Sequence, residues 1–184
     1  MTREEAYKLV TDWTSNKNLV KHMLAVEAEM KALARHFNED EEKWALAGLI
    51  HDADYEKYSD DHPLKTIEEL EKRKAPDWLI NAVKSHAWGF KEGLPEPSTK
   101  LEWALYTCDE LSGFIIAVCL VYPDKKLSSV TVESILKKWN KKDFARGVHR
   151  EQIELCNEKL GIKLEDFIMI CLKALQDISN DLGL

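Results

Sequence analysis

The 184-residue sequence has few residues that break helices and few cysteines. It contains 7 glycines and 5 prolines, and no low-complexity tract that would indicate disorder. Runs in which Val, Ile and Thr alternate with polar residues are missing, which argues against β-strands. The four cysteines are far apart and form no Cys-x-x-Cys pair, so neither a cysteine-ligated metal site nor a dense disulfide framework is expected. They are Cys108, Cys119, Cys156 and Cys171, and we interpret them as buried thiols in a reducing cytoplasm.

The sequence also lacks an uncharged apolar segment long enough to span a bilayer. Asp109 and Glu110 interrupt the best candidate. The first residues, 1–8, are polar and do not resemble the apolar core of a signal peptide. We therefore expect no membrane partner and a cytoplasmic location.

An excess of positive charge is absent as well. The formal net charge is -7, which argues against nonspecific nucleic-acid binding. The charge is uneven, however, because eight Lys or Arg face only three acids in residues 121–150. Such asymmetry occurs at phosphate-binding surfaces, although a solvated basic helix surface is the commoner explanation.

What the sequence does contain is helical periodicity. Apolar residues recur at spacings of three and four along most of the chain, which predicts an all-α protein. The length suits one domain, so we predict a single helical bundle over residues 1–184, with Asn18 and Asn38 as helix caps. The predicted helices cover residues 3–14, 18–37, 40–52, 64–73, 76–87, 99–121, 131–138, 147–159 and 164–180.

Asp109 is the most informative single residue. It lies in the most apolar stretch of the chain, residues 101–121, which contains no Lys or Arg. An unpaired carboxylate there would cost several kcal/mol. His22 and the dipeptide His51-Asp52 also lie inside or at the ends of apolar helical patterns. A bound metal ion would satisfy all four residues.

The residue types and their placement suit a divalent cation. Two imidazoles and two carboxylates on three predicted helices can bind Fe, Mn, Mg, Co, Ni or Zn. The dipeptide lies at a predicted helix end, where the unwinding backbone lets two adjacent side chains meet one ion. Ser112 and Gly113 lie on the same helix face as Asp109, and their small size indicates either room for a ligand or close helix packing.

These residues resemble the H…HD…D pattern of the HD-domain superfamily of metal-dependent phosphohydrolases. The resemblance extends over residues 18–175 and implies a helical bundle of the HD-domain type, with a motif-bearing core at about 18–121 and a C-terminal helical part at about 122–184. It includes the segments KHMLAVEAEMKALARHF, WALAGLIHDADYEKY, HPLKTIEEL, VKSHAW, ALYTCDELSGFIIAVCLVYPDKKL and DFARGVHREQI.

The resemblance also implies a ligand set. One metal ion would take His22, His51, Asp52 and Asp109. A second ion would take His62 and His86 and share Asp52 as a bridge. The alternative is that His62 only begins a helix and His86 only ends one.

The same resemblance implies hydrolysis of a phosphomonoester or phosphoanhydride, such as a nucleotide, by metal-activated water. Asp52 would orient the nucleophile, and either His86 or Asp54 would protonate the leaving oxygen. We expect the basic segment to bind the phosphate of this small-molecule substrate. Its candidate contacts are Arg146, Arg150, Lys125 and Lys126.

Two other classes of function use the same ligand pattern. Some proteins of this fold are di-iron oxygenases, and the same residues could also serve a non-catalytic metal- or nucleotide-binding module. The sequence leaves the oligomeric state, the metal and the substrate open.

Overall fold

A computed structural model describes all residues, 1–184, as helices and connecting turns without a β-strand, which confirms the predicted all-α class. Short 3-10 turns occupy Ser59–Asp61 and Leu127–Ser129, and a π-helical turn, Cys156–Leu160, continues α8. The ten α-helices are α1 (Arg3–Trp13), α2 (Lys17–Phe37), α3 (Glu41–Ile50), α4 (Leu64–Lys72), α5 (Asp77–His86), α6 (Lys100–Leu120), α7 (Val132–Trp139), α8 (Arg150–Leu155), α9 (Leu164–Asp177) and α10 (Ser179–Leu182).

Two of the predicted helix caps are wrong. Asn18 lies inside α2, and the side chain of Asn16 accepts the hydrogen bond from its backbone N–H instead. Asn38 ends α2 in the left-handed conformation, with φ of 56°, because asparagine tolerates that conformation better than most residues. Asp40 then caps α3 by accepting from the N–H groups of Glu42 and Lys43.

Helix α3 lies within the predicted helix 40–52, and most of its residues are buried. It packs against α2 along its length, and Gly48 lies at the closest approach. A Cβ atom on Gly48 would lie 2.7 Å from the carbonyl oxygen of Val26 and 2.9 Å from the backbone nitrogen of Glu27. The glycine therefore allows the two backbones to approach each other closely, which brings the end of α3 beside the first half of α2.

Helix α6 crosses the molecule and contacts α2, α5, α8 and α9. It is the one helix long and apolar enough to cross a membrane, but 67% of its apolar window is buried inside the protein. That burial is typical of the core helix of a soluble protein. Asp109 lies near its midpoint, so its carboxylate is placed between the helices that surround α6.

One hydrophobic core runs through the motif-bearing part and the C-terminal part of the chain. All four cysteines are free and buried within it, as the sequence predicted. Burial raises the pKa of the Cys156 thiol to about 11. Thiols with raised pKa values are poor nucleophiles and metal ligands at neutral pH.

Candidate metal centre

Imidazole and carboxylate side chains from five parts of the chain converge at one place beside α6. None of the six is more than 22% exposed. They are His22 in α2, His51 and Asp52 directly after α3, His62 just before α4, His86 at the end of α5, and Asp109 in α6. Residues separated by up to 87 positions therefore share one site, and most of them lie at helix ends, where the backbone leaves the helix axis.

The first group of possible ligands joins α2, α3 and α6. His22 Nε2 lies 2.9 Å and His51 Nε2 lies 3.3 Å from the same oxygen of Asp109, Oδ1. Asp52 Oδ2 completes the group, at 3.5 Å from His51 Nε2 and 3.8 Å from His22 Nε2. Four potential ligand atoms thus surround one small volume.

The second group lies on the other side of Asp52. Its Oδ1 is 3.4 Å from His62 Nε2 and 3.4 Å from His86 Nε2. The two imidazole nitrogens are 3.2 Å apart. The Asp52 carboxylate therefore directs one oxygen toward each group, which is the arrangement that a bridging ligand requires.

Hydrogen bonds on the far side of three imidazole rings determine which nitrogen is free. His51 Nδ1 donates to the carbonyl of Gly48 at 2.7 Å, and His86 Nδ1 donates to the carbonyl of Val83 at 2.6 Å. His62 Nδ1 lies 2.7 Å from the carboxylate of Asp54. Each contact orients the ring and leaves Nε2 directed at the centre, as is usual for metal-binding histidines.

The free nitrogen atoms fit a bound cation. His51 Nε2 is fully buried, and its carboxylate neighbours, Asp109 at 3.3 Å and Asp52 at 3.5 Å, make no well-aligned hydrogen bond with it, although buried polar atoms normally have one. With their Nδ1 atoms protonated, neutral His62 and His86 would point two lone pairs at each other across 3.2 Å. A proton or a metal ion between such atoms removes the repulsion, and two imidazoles with a shared carboxylate suit a divalent ion.

The electrostatics agree with this fit. Burial alone would lower the pKa of His51, but the neighbouring carboxylates of Asp52 and Asp109 outweigh it and raise that pKa to about 9. The two carboxyl groups are largely buried as well, with at most 22% of either side chain exposed, yet the positive charge on His51 holds the pKa of each well below its usual range. The site therefore favours positive charge between two carboxylates.

The sequence model of the HD-domain family matches residues 19–113, which is just over half of the chain and includes all six side chains. The chain belongs to the HD-domain superfamily. This is a superfamily of metal-dependent phosphohydrolases, and the structure has its helical fold. No curated protein matches the chain significantly.

The candidate centre of this HD domain opens into a cavity of about 340 Å³. Two partly exposed aromatic residues flank it, with Tyr55 49% and Phe90 55% exposed. No Lys or Arg lines it. Its lining comprises Asp52, Tyr55, His62, His86, Ala87, Phe90, Asp109, Glu110, Gly147 and His149.

The structure does not bring the predicted phosphate-binding residues to this cavity. Lys125 and Lys126 lie beyond the end of α6. At a rise of 1.5 Å per residue, that end is roughly 16 Å from Asp109 along the helix axis. The side chain of Arg146 is 76% exposed and pairs with Asp143 at 2.8 Å. The loop that carries Arg146 does reach the cavity, but through Gly147 and His149.

Arg150 has a structural role instead. Its guanidinium donates to four backbone carbonyls of the loop before α8 and lies 4.8 Å from the ring centroid of Phe114. The loop therefore folds around this side chain, which is why α8 begins only at Arg150 and not at the predicted residue 147. The carbonyls belong to Lys141, Phe144, Ala145 and Val148.

Asp54 is fully buried and does not line the cavity, so the structure does not support its predicted role as proton donor. One carboxylate oxygen contacts His62 Nδ1 and the other accepts from the backbone N–H of Thr66 at 2.9 Å. These contacts orient His62 and anchor the start of α4. Asp54 thus acts on the centre through His62.

Sequence reasoning missed a second carboxylate–imidazole pair on the cavity wall. Both oxygens of Glu110 accept from His149, one from its backbone N–H at 2.9 Å and one from Nδ1 at 2.9 Å. The ring of His149 also packs edge-on against Phe90, with the centroids 5.0 Å apart. The sequence offered one indication of this pair, which is that Glu110 directly follows Asp109. Nothing in the local sequence indicates that residue 149 returns to α6.

A buried glutamate lies behind the centre. Glu29 is fully buried in α2, and neither of its carboxylate oxygens has a hydrogen-bond partner. Burial raises the pKa of Glu29 well above its usual range, and the negative charge of Asp109 raises it further. Ser112, which we placed on the face of Asp109, lies beside it and is fully buried too.

Proposed function

We propose that this HD domain hydrolyses a phosphomonoester with the help of one or two divalent metal ions. The observation that carries the proposal is the position of Asp52, whose two oxygens face two separate imidazole groups. A shared carboxylate between two sets of nitrogen ligands is typical of centres that bind two ions.

The residues divide between the two ions without conflict. His22, His51 and Asp109 would hold the first ion, His62 and His86 the second, and Asp52 would bridge them. Ions bound there would lower the pKa of water and offset the charge on the phosphoryl oxygens. Asp52 orients the attacking water relative to phosphorus because it contacts both halves of the centre.

The proton for the leaving oxygen comes from His149 in this proposal, and not from Asp54 or His86. Asp54 is buried away from the cavity, and His86 directs its free nitrogen at the second group of ligands. His149 lies on the cavity wall, and Glu110 accepts from its Nδ1 at 2.9 Å. That contact leaves Nε2 to transfer a proton as the phosphorus–oxygen bond breaks.

The absence of Lys and Arg from the cavity wall favours a substrate with a single phosphoryl group. A diphosphate or triphosphate carries further negative charge, which proteins usually meet with Arg or Lys. Bound ions would offset the charges of Asp52 and Asp109, and Glu110 pairs with His149, so this wall offers no Lys or Arg for a second phosphoryl group. We therefore favour a phosphomonoester over a phosphoanhydride.

The test is a metal-resolved activity screen. Metal-free protein is loaded with Mn, Fe, Co, Ni, Mg or Zn, and phosphate release is measured for phosphomonoesters, nucleotides and dinucleoside polyphosphates. We expect phosphomonoesters to be hydrolysed and Asp52→Ala to lose nearly all of that activity. His36→Ala is the matched control, because His36 lies at the C-terminal end of α2, away from the centre.

Two results would contradict the proposal. Oxygen uptake on substrate addition by the iron-loaded protein, without phosphate release, would identify an oxygenase. Loss of metal from Asp52→Ala without any loss of hydrolysis would identify a non-catalytic binding module.

The role of His149 has its own test. His149→Gln should lower kcat by roughly 100-fold for an alkyl phosphate, because alkoxide leaving groups need a proton. The same variant should lower kcat much less for p-nitrophenyl phosphate, since p-nitrophenolate leaves without protonation. Equal losses for both substrates would show that His149 does not supply the proton.

A further inference from the structure

A second cavity of about 360 Å³ adjoins the candidate metal centre. Phe90 and His149 line both cavities, and their rings are in contact, so this pair forms the partition between them. The remaining lining residues are Trp88, Gly89, Tyr106, Glu151, Gln152 and Leu155. A substrate whose phosphoryl group lies at the centre would reach this second cavity past the partition.

The second cavity is aromatic on several sides. Trp88 and Tyr106 have ring centroids 5.6 Å apart and planes inclined by 51°. Phe90 lies 55% exposed on the partition. Rings inclined to one another present their faces from different directions, which suits a rounded cationic group better than a flat ring stacked between parallel planes.

The charged groups around the second cavity are acidic. Glu151 lines it directly, and no Lys or Arg does. On the partition, His149 Nδ1 lies 2.9 Å from the carboxylate of Glu110. Burial raises the pKa of the Tyr106 hydroxyl, and the nearby carboxylates of Glu110 and Glu151 raise it further, which indicates a negative potential at this wall.

We propose that the second cavity binds a cationic amine or quaternary ammonium group carried on the leaving group of the substrate. The aromatic faces would attract the cation, and Glu151 would offset its charge. That this group is part of the leaving group rests on the proposed phosphomonoester hydrolysis. That the cavity binds such a cation does not depend on that reaction. The substrate would then carry a phosphate at one end and an organic cation at the other.

The binding test uses protein without metal and two probes of the same shape. Choline is the cationic probe, and 3,3-dimethyl-1-butanol is its neutral isostere. Isothermal titration should give an affinity for choline roughly five- to thirtyfold above that for the alcohol, the range that a cation–π contact provides. Equal affinities, or no detectable choline binding at tens of millimolar, would overturn the proposal.

Substitutions locate the binding. Phe90→Ala and Glu151→Gln should each weaken choline binding about fivefold or more, because each removes an attraction for the cation. Tyr55→Ala is the matched control: this residue is similarly exposed but lines only the metal-side cavity, so choline binding should be unchanged. A loss in Tyr55→Ala alone would place the cation elsewhere and overturn the proposal.

The outcome is separable from that of the proposed function. Asp52→Ala should abolish hydrolysis but retain choline binding. Among substrates, Glu151→Gln should raise the KM for phosphocholine several-fold and leave the KM for ethyl phosphate unchanged, because Glu151 lines only the second cavity. If the wild-type protein binds a nucleoside more tightly than choline, the proposal of a cationic ligand is overturned even if hydrolysis is observed. If choline binds but no hydrolysis occurs, the proposed cation-binding cavity is supported and the proposed reaction is refuted.

Discussion

His51 determines how the centre responds to pH. It is fully buried between Asp52 and Asp109, and its pKa is raised to about 9. Below that pH the imidazole carries a proton in the metal-free protein, whereas a metal ligand must be neutral. A divalent ion therefore has to displace a proton from His51.

We predict that metal binding near pH 7 releases about one proton from His51 for each ion bound at the first group. The apparent affinity should rise roughly tenfold per pH unit and level off near the pKa of about 9. Calorimetric titration in buffers of different ionisation enthalpy measures the release. An affinity that is flat with pH and a heat that is independent of buffer would contradict this assignment.

Glu29 is predicted to destabilise the protein at high pH. Its pKa is raised in the native state, so the native protein keeps a proton that the unfolded chain loses above about pH 4.5. The free energy of unfolding should therefore fall with rising pH, by roughly 1.4 kcal/mol per unit, until the native carboxyl also ionises.

Glu29→Gln has nearly the same shape and does not titrate. Denaturant unfolding should give similar stabilities for wild type and variant near pH 4, and a more stable variant near pH 8. Parallel stability curves across that range would mean that Glu29 is already ionised in the native protein.

At the scale of elements, the contact between α2 and α3 sets the distance between His22 and His51. Gly48 permits that contact, because any larger residue would meet the backbone of α2. The rings of His22 and His51 consequently lie 5.4 Å apart, close enough to share one ion.

We predict that Gly48→Ala destabilises the protein by roughly 1–3 kcal/mol, the usual cost of overpacking, and weakens metal binding. Gly113→Ala is the matched control within a helix, since its added Cβ would meet only Val148 at 4.0 Å. That variant should be neutral or slightly stabilised, because alanine favours helix. Thermal unfolding and metal titration of both variants test this difference in stability and metal affinity. Equal behaviour of the two variants would contradict the prediction.

For the whole molecule, the centre joins parts of the chain that the hydrophobic core also holds together. Its six side chains come from α2, α5 and α6 and from the turns after α3 and before α4. Ions bound there would link these five parts of the chain, and they would bind the native state but not the unfolded chain.

Metal removal should therefore lower the stability of the whole chain. At an ion concentration about 100-fold above Kd, the expected gain is roughly 2.7 kcal/mol per site. Thermal unfolding with and without a chelator measures it, with Asp52→Asn as the variant that should lose most of the shift. A wild-type Tm that does not respond to any of the six metals would argue against a bound ion.

Several features of this protein followed from local sequence. The spacing of apolar residues predicted the helices, and Asp109, an acid in an apolar stretch without Lys or Arg, pointed to a cation site with His22 and the His51-Asp52 pair. The helices formed and these side chains came together, because helix periodicity and the cost of a buried charge are local properties. Metal binding at the cluster stays a prediction. The basic residues of 121–150 suggested phosphate contacts that the structure does not bring to the cavity. Charge along a sequence is also a local property, and it does not indicate which side of a helix or loop faces the site.

The tertiary structure decided the rest. Only packing showed that Asp54 lies behind His62, that Arg150 holds a loop, and that His149 returns to Glu110 to form a cavity wall. Each of these depends on contacts between distant segments, which the local pattern of the chain does not encode. The sequence by itself determined the helical class and the chemistry of the candidate ligands, whereas the tertiary structure decided which side chains surround the candidate centre, because that depends on how the helices pack.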